Sequence, residues 1–348
     1  MIGINLNRGS RSNMERKIQL LVTNPHNRLK EQLFNKDNIK LLDSFAEIVW
    51  NPYQREFTAE ELKQYIQGKD ALITSWGTHP LTREILDCSD RLKFIGHTGG
   101  TVKWLVEPDF FERGIMLVNG NAALAKAVAE YCFLIALSDS WNFISTVNIV
   151  KAGGWMTNED VSDGLNGKSI GLVGYGEISK GFIELLKVFD VYIYVYSNYC
   201  TQDEANRMGF KLADLSTVCG CDIVSLHTTL NKKTYHMLGK YELSCIRDNA
   251  LLINTGRAEL IDEKALMDEL RTGRFRAVLD VFYQEPLAFD HELRSLNNVI
   301  CTPHSAGTSQ YWRRKQADYV IEDMKRFFAQ EMPCYAISRQ QYERLTPR

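Results

Sequence analysis

Short apolar runs alternate with amphipathic stretches along nearly the whole chain. In the first third, residues 18–22, 47–50, 71–74, 92–95 and 115–118 have the length and the β-branched or aromatic content of buried strands. Helical stretches separate them. One, over 58–67, opens on Thr58 as an N-cap, with Glu60 and Glu61 in its first turn. Strands that alternate with helices predict a parallel sheet covered on both faces.

Residues 121–150 then read as a long helical connector into a second unit, followed by a loop with Gly153, Gly154, Trp155, Gly164 and Gly167. The second unit has candidate strands at 169–173, 191–196, 222–226, 250–254, 276–281 and 298–302. The segment after the first of these has apolar residues at 178, 182, 185, 186 and 189, a stripe with helical period. Six parallel strands with right-handed crossovers are what a complete dinucleotide-binding fold needs. A helix over 310–330 and a return segment at 334–337 close the chain. The expected architecture is α/β: a Rossmann-type doubly wound parallel sheet inserted in a second, flavodoxin-like α/β substrate domain. The expected units are 15–121 plus 311–348 for substrate, 122–310 for dinucleotide, and 1–14 as a disordered leader.

Composition narrows the class. At ~150 residues per domain, 348 residues make about two domains. A hydrophobic share of 45% and a charged share of 24% exclude a disordered, collagenous or coiled-coil chain. Lys+Arg of 41 against Asp+Glu of 43 gives no basic excess, so no nucleic-acid partner is expected. The eight cysteines form no CxxC framework. Cys219 and Cys221 are read as packing residues, no metal site is expected, and free thiols fit a reducing, cytoplasmic setting. The most apolar stretch, 124–137, falls short of the ~20 residues that a span needs, so no membrane association is expected.

The chemistry concentrates in the second unit. Gly174-Tyr175-Gly176-Glu177-Ile178-Ser179 lies between a strand and an amphipathic helix. Gly174 permits the tight turn, Gly176 the close approach of a pyrophosphate, and the helix N-terminus faces the anion. Ser179 stands where a third glycine is usual, a small side chain that still allows close packing. The next strand ends Tyr196-Ser197-Asn198, without the acid that grips an adenosine ribose and without an arginine for a 2′-phosphate. Past the later strands come His227, Arg257, Glu285 and His304, with Asp280 near the end of one of them. Ligands of open α/β sheets bind at the carboxyl ends of the strands, so these groups converge on one crevice.

The segments Gly171-Leu-Val-Gly-Tyr-Gly-Glu-Ile, Val224-Ser-Leu-His, Leu252-Ile-Asn-Thr-Gly-Arg-Ala-Glu-Leu-Ile-Asp-Glu263, Val278-Leu-Asp-Val-Phe-Tyr-Gln-Glu-Pro286 and Thr302-Pro-His-Ser-Ala-Gly307 resemble, in order, the D-isomer-specific 2-hydroxyacid dehydrogenase family. Val128-Ala-Glu-Tyr131 and Gly164-Leu-Asn-Gly-Lys168 match as well, and the resemblance runs from about residue 17 to 346. It implies hydride transfer between a nicotinamide and a D-2-hydroxy acid/2-oxo acid pair. In that implied scheme Arg257 binds substrate, His304 is the general acid/base, and Glu285 is its carboxylate partner. An arginine fork suits a carboxylate beside a ketone, and a histidine suits proton exchange near neutrality. Gly174, Gly176, Glu177, Ile178, Ser197, His227, Thr255 and Asp280 are the implied cofactor contacts, Asp280 toward the nicotinamide carboxamide. Thr98, Gly99 and Gly100 form the implied substrate loop, with Trp76, the segments 50–56 and 76–79 and Trp312 as further pocket walls.

The chain departs from the family pattern at Lys103, where Asp is common, at Ala258 and at Thr229. The cofactor is expected to be NAD or NADP, with NAD slightly favoured. Family resemblance and the apolar residues Phe133, Leu134, Leu137, Trp141, Phe143 and Ile144 point to a homodimer. A dinucleotide-sensing binding protein on the same fold is the alternative reading. Formate and phosphite oxidation are two further possibilities, and Glu285 disfavours formate oxidation, because the formate enzymes have Gln there.

Overall fold

A computed structural model describes residues 16–157 and 161–346. The proposed leader, 1–14, lies outside the described residues. The first sheet contains β1 (Ile18–Val22), β2 (Ala46–Trp50), β3 (Ala71–Thr74), β4 (Phe94–His97) and β5 (Met116–Asn119) in the order β2-β1-β3-β4-β5, all parallel. This is the flavodoxin-like order. The predicted strands at 92–95 and 115–118 are displaced toward the C-terminus. In β4 the pairing continues through Gly96 and His97, which periodicity alone does not mark as strand.

The second sheet contains β6 (Ser169–Val173), β7 (Tyr192–Tyr196), β8 (Lys211–Leu212), β9 (Ile223–Leu226), β10 (Leu251–Asn254), β11 (Arg276–Leu279) and β12 (Val299–Cys301). Their order is β12-β11-β10-β9-β6-β7-β8, with every pairing parallel. Counted from β6, this is the 3-2-1-4-5-6 dinucleotide order with a seventh strand added. The sequence pattern yields six strands and misses β8, whose two residues are too few to show a period.

The long connector is two helices rather than one. Asn121–Ser140 ends at Trp141, and Phe143–Lys151 begins after Asn142, whose φ of +48° is left-handed. Asparagine tolerates that region better than most side chains. The first helix is 20 residues long and apolar enough to cross a bilayer by length and composition, which corrects the expectation that no segment reaches that length. Here it packs between the Glu177–Leu186 and Gln310–Phe328 helices, and Arg276 pins its end by pairing with Asp139 at 2.7 and 2.8 Å.

The Gln310–Phe328 helix returns the chain to the first sheet. Ala317, Val320, Ile321 and Met324 are fully buried against Leu20, Phe94 and Val118. Gly96 makes the close approach possible: a Cβ there would lie 2.2 Å from Val320 Cγ1. After the helix, Asp323 accepts the N–H groups of Cys334 and Tyr335 at 2.7 Å each, and Val118 bridges to Ala336. Segments 18–119 and 310–346 therefore share one core, and the second sheet is inserted between them.

Candidate active site

The crevice opens where neighbouring strands of the second sheet run their connections in opposite directions, between β6 and β9. Gly174 follows β6 with φ +103°, and a Cβ there would meet the Thr228 backbone nitrogen at 2.7 Å. The loop after β9 therefore backs directly onto the turn, and only glycine fits. Gly176 has nothing within 4 Å of a Cβ and stands at the N-cap of the Glu177–Leu186 helix, so open space lies beside unsatisfied helix N–H groups. Ser179 uses its hydroxyl to donate to the Gly174 carbonyl at 2.7 Å. That bond braces the turn where the usual motif has glycine.

Ser197 lies just beyond β7. Its hydroxyl accepts the N–H groups of Tyr199 and Cys200, both at 3.2 Å, and so shapes the loop. His227 has both ring nitrogens buried without partners, packs edge-on to Phe182, and is pushed by burial down to about 3, so it is neutral at physiological pH. Thr255 is buried with its hydroxyl 3.3 Å from Cys132 Sγ. Asp280 is fully buried. Its carboxylate accepts from the Thr302 hydroxyl at 2.6 Å, from the Ser305 N–H at 2.8 Å and from the Ala306 N–H at 2.9 Å. Asp280 lines the crevice, and its oxygens hold the turn that carries His304.

His304 itself sits in a left-handed conformation, φ +51°. Its Nδ1 is 2.8 Å from Glu285 Oε2, while Oε1 of the same carboxylate accepts the Phe282 N–H at 3.1 Å. A carboxylate only accepts, so Nδ1 carries the proton and Nε2 is left to exchange one. Arg257 is largely buried, donates to the Gly256 carbonyl at 2.7 Å, and is lowered by desolvation from the usual arginine range.

One cavity of about 450 Å³ lies between the two sheets. Gly176, Glu177, Ile178, His227, Thr255, Arg257, Asp280 and His304 line one side, and Trp76, Gly100 and Thr101 the other. Thr98 supports that second wall by donating to the Thr74 carbonyl at 3.0 Å, and a Cβ on Gly99 would collide with His97 Nε2 at 2.4 Å. Among the described residues, the 50–56 segment and Trp312 contribute no lining. The ammonium of Lys126 lies over the Trp312 ring, and the next residue, Arg313, faces the cavity.

The sequence reading gives no individual role to several groups that the structure brings out. His97 ends β4, fully buried between Trp76 and Trp104, with Nδ1 3.0 Å from the Thr74 hydroxyl. Burial pushes it down to about 3. Glu56, its Oε2 buried without a partner, rests against Gly77, and desolvation raises its carboxyl to about 7. Leu345 and Thr346 form part of the cavity wall, and Lys103 donates to the Glu343 and Leu345 carbonyls at 3.0 and 3.2 Å. The departure at Lys103 is thereby explained: the ammonium anchors residues 343–345 to the loop after β4. No signal local to residues 343–346 reveals this.

Residues 133–306 match the family described as D-isomer specific 2-hydroxyacid dehydrogenase, NAD binding domain. The chain is 31% identical over 318 residues to D-3-phosphoglycerate dehydrogenase of Methanocaldococcus jannaschii, covering 90% of this chain and 58% of that one. It is 30% identical over 313 residues to glyoxylate reductase of Thermococcus litoralis, covering 87% and 94%. A solved phosphoglycerate oxidoreductase from Rhizobium etli superposes with a TM-score of 0.79 at 24% identity, over 92% of this chain and 98% of that one. With the dinucleotide strand order, the glycine turn and these relatives in agreement, the chain belongs to the D-isomer-specific 2-hydroxyacid dehydrogenase family of nicotinamide-dependent oxidoreductases.

Proposed function

We propose that the protein catalyses reversible hydride transfer between a nicotinamide and a D-2-hydroxy acid/2-oxo acid pair. The observation that carries this reading is the shared cavity: Arg257, His304, the Gly176 turn and the Gly100 loop all face it. The residues present fit a dinucleotide, because Gly176 leaves open space at a helix N-terminus for a pyrophosphate. A nicotinamide bound there supplies or accepts the hydride.

The chain's own groups do the rest. Arg257 orients the substrate carboxylate and its neighbouring carbonyl, and backbone N–H groups of the Gly99–Gly100 loop hold the carboxylate from the other side. During reduction, His304 Nε2 gives a proton to the substrate oxygen, and during oxidation it takes that proton back. Glu285 fixes the Nδ1–H tautomer and the orientation of the ring. Trp76 closes one wall and excludes water.

The reading extends to a dinucleotide unit at 122–310, a substrate unit at 15–121 plus 311–348, a cytoplasmic setting and a homodimer. Leu134, Trp141, Phe143 and Ile144 stay exposed on the two connector helices and support the dimer, whereas Phe133 and Leu137 pack inward. Both NADH and NADPH are proposed to serve. Turnover of each coenzyme with glyoxylate, pyruvate, hydroxypyruvate and bulkier 2-oxo acids tests the reading.

A further inference from the structure

The end of the chain crosses the mouth of the crevice. The Thr346 hydroxyl accepts the Leu230 N–H at 3.1 Å, from the loop after β9, and its carbonyl accepts the Thr101 hydroxyl at 2.6 Å, from the loop after β4. Lys103 donates to the Glu343 and Leu345 carbonyls of the same segment. On the other side of the crevice, the Arg344 guanidinium lies 4.7 Å from the centroid of the Tyr199 ring, in the loop after β7. The segment 344–346 thus straddles the gap between the loops after β7 and β9, on either side of β6. In a doubly wound dinucleotide fold, that gap is where the adenosine end of the cofactor goes.

The chemistry at this point is specific. The tip of β7 holds Ser197, Asn198 and Tyr199, with no carboxylate to repel a 2′-phosphate and no cation of its own to bind one. The fold supplies the cation from 145 residues further along the chain. Arg344 is exposed and has no carboxylate within ion-pair distance among the described residues. The neighbouring Arg207, by contrast, is 3.6 Å from Glu204, which itself accepts from the Tyr175 hydroxyl. An arginine held over an aromatic ring still has N–H groups to donate, and its planar fork matches two phosphate oxygens.

We propose that Arg344 reads the 2′-phosphate of NADPH, with Tyr199 as the platform that holds its guanidinium at the ribose. The proposal rests on the reading of the β6–β7 crevice as the dinucleotide site. It makes coenzyme choice a property of the C-terminal segment rather than of the β7 tip alone.

Equilibrium binding of nucleotide fragments to the full chain tests this without turnover. The probes are adenosine 2′,5′-bisphosphate and 5′-AMP, titrated calorimetrically into wild type, Arg344→Ala and Arg344→Lys. The expected result is bisphosphate binding at least tenfold tighter than AMP in wild type. Arg344→Ala should remove most of that ratio while changing AMP affinity less than threefold, and Arg344→Lys should keep part of it. Equal affinity for the two nucleotides in wild type, or equal weakening of both in Arg344→Ala, would overturn the proposal. Failure of either nucleotide to bind wild type would overturn the crevice assignment, and the proposal with it.

Discussion

His304 Nδ1 and Glu285 Oε2 stand 2.8 Å apart, on loops that leave different strands of the second sheet. The pairing holds the proton on Nδ1 and leaves Nε2 to exchange one. In the proposed scheme, Glu285→Gln removes the charged acceptor that fixes the ring, so kcat/KM for the 2-oxo acid should fall about tenfold or more while NADH affinity holds. Steady-state kinetics beside a fluorescence titration of NADH check this, and an unchanged kcat/KM would remove Glu285 from the role.

Arg257→Ala should cost several kcal/mol of transition-state stabilisation, on the order of a thousandfold in kcat/KM for the 2-oxo acid. NADH binding should change little, because the proposed partner of Arg257 is the substrate carboxylate and not the cofactor. Fluorescence titration of NADH beside steady-state kinetics separates the two effects.

The two glycines of the phosphate turn should fail differently. Gly174→Ala places a Cβ 2.7 Å from the Thr228 nitrogen at a left-handed φ, so the fold itself should lose about 2 kcal/mol or more. Gly176→Ala meets no protein atom within 4 Å, so thermal stability should hold while NADH affinity falls about tenfold or more. Thermal melts with and without NADH decide it. Equal destabilisation by both would contradict the distinction.

His97 makes the fold acid-sensitive. Burial pushes its imidazole down to about 3, against about 6.5 in the unfolded chain. Above pH ~6.5 both states are neutral and the contribution is intact. As pH falls toward 3 the unfolded chain takes up a proton that the folded chain refuses, and stability is lost, by about 2–3 kcal/mol at pH ~4.5. His97→Gln keeps a polar group for Thr74 and removes the titration. Denaturant melts at neutral and acid pH should show the smaller loss in the variant.

The sequence reading reaches the site better than it reaches the site's walls. Gly176, Arg257 and His304 each stand within a few residues of a strand end, so strand periodicity and the switch-point rule carry them to one crevice. β8 escapes because two residues have no period. The break at Asn142 escapes because no glycine or proline announces it. Arg313, Leu345 and Thr346 reach the cavity through the returning helix and the segment after it, and Asp280 turns its oxygens toward the loop after β12. All four depend on tertiary placement, which local pattern does not encode.

The most direct test of the account is oxidation of reduced nicotinamide in the presence of small 2-oxo acids, with wild type and Arg257→Ala measured side by side. The account predicts steady turnover of glyoxylate, pyruvate or hydroxypyruvate by wild type and a loss on the order of a thousandfold in the variant. Tight NADH or NADPH binding with no turnover of any 2-oxo acid would contradict it, and would leave a dinucleotide-binding protein in place of an enzyme.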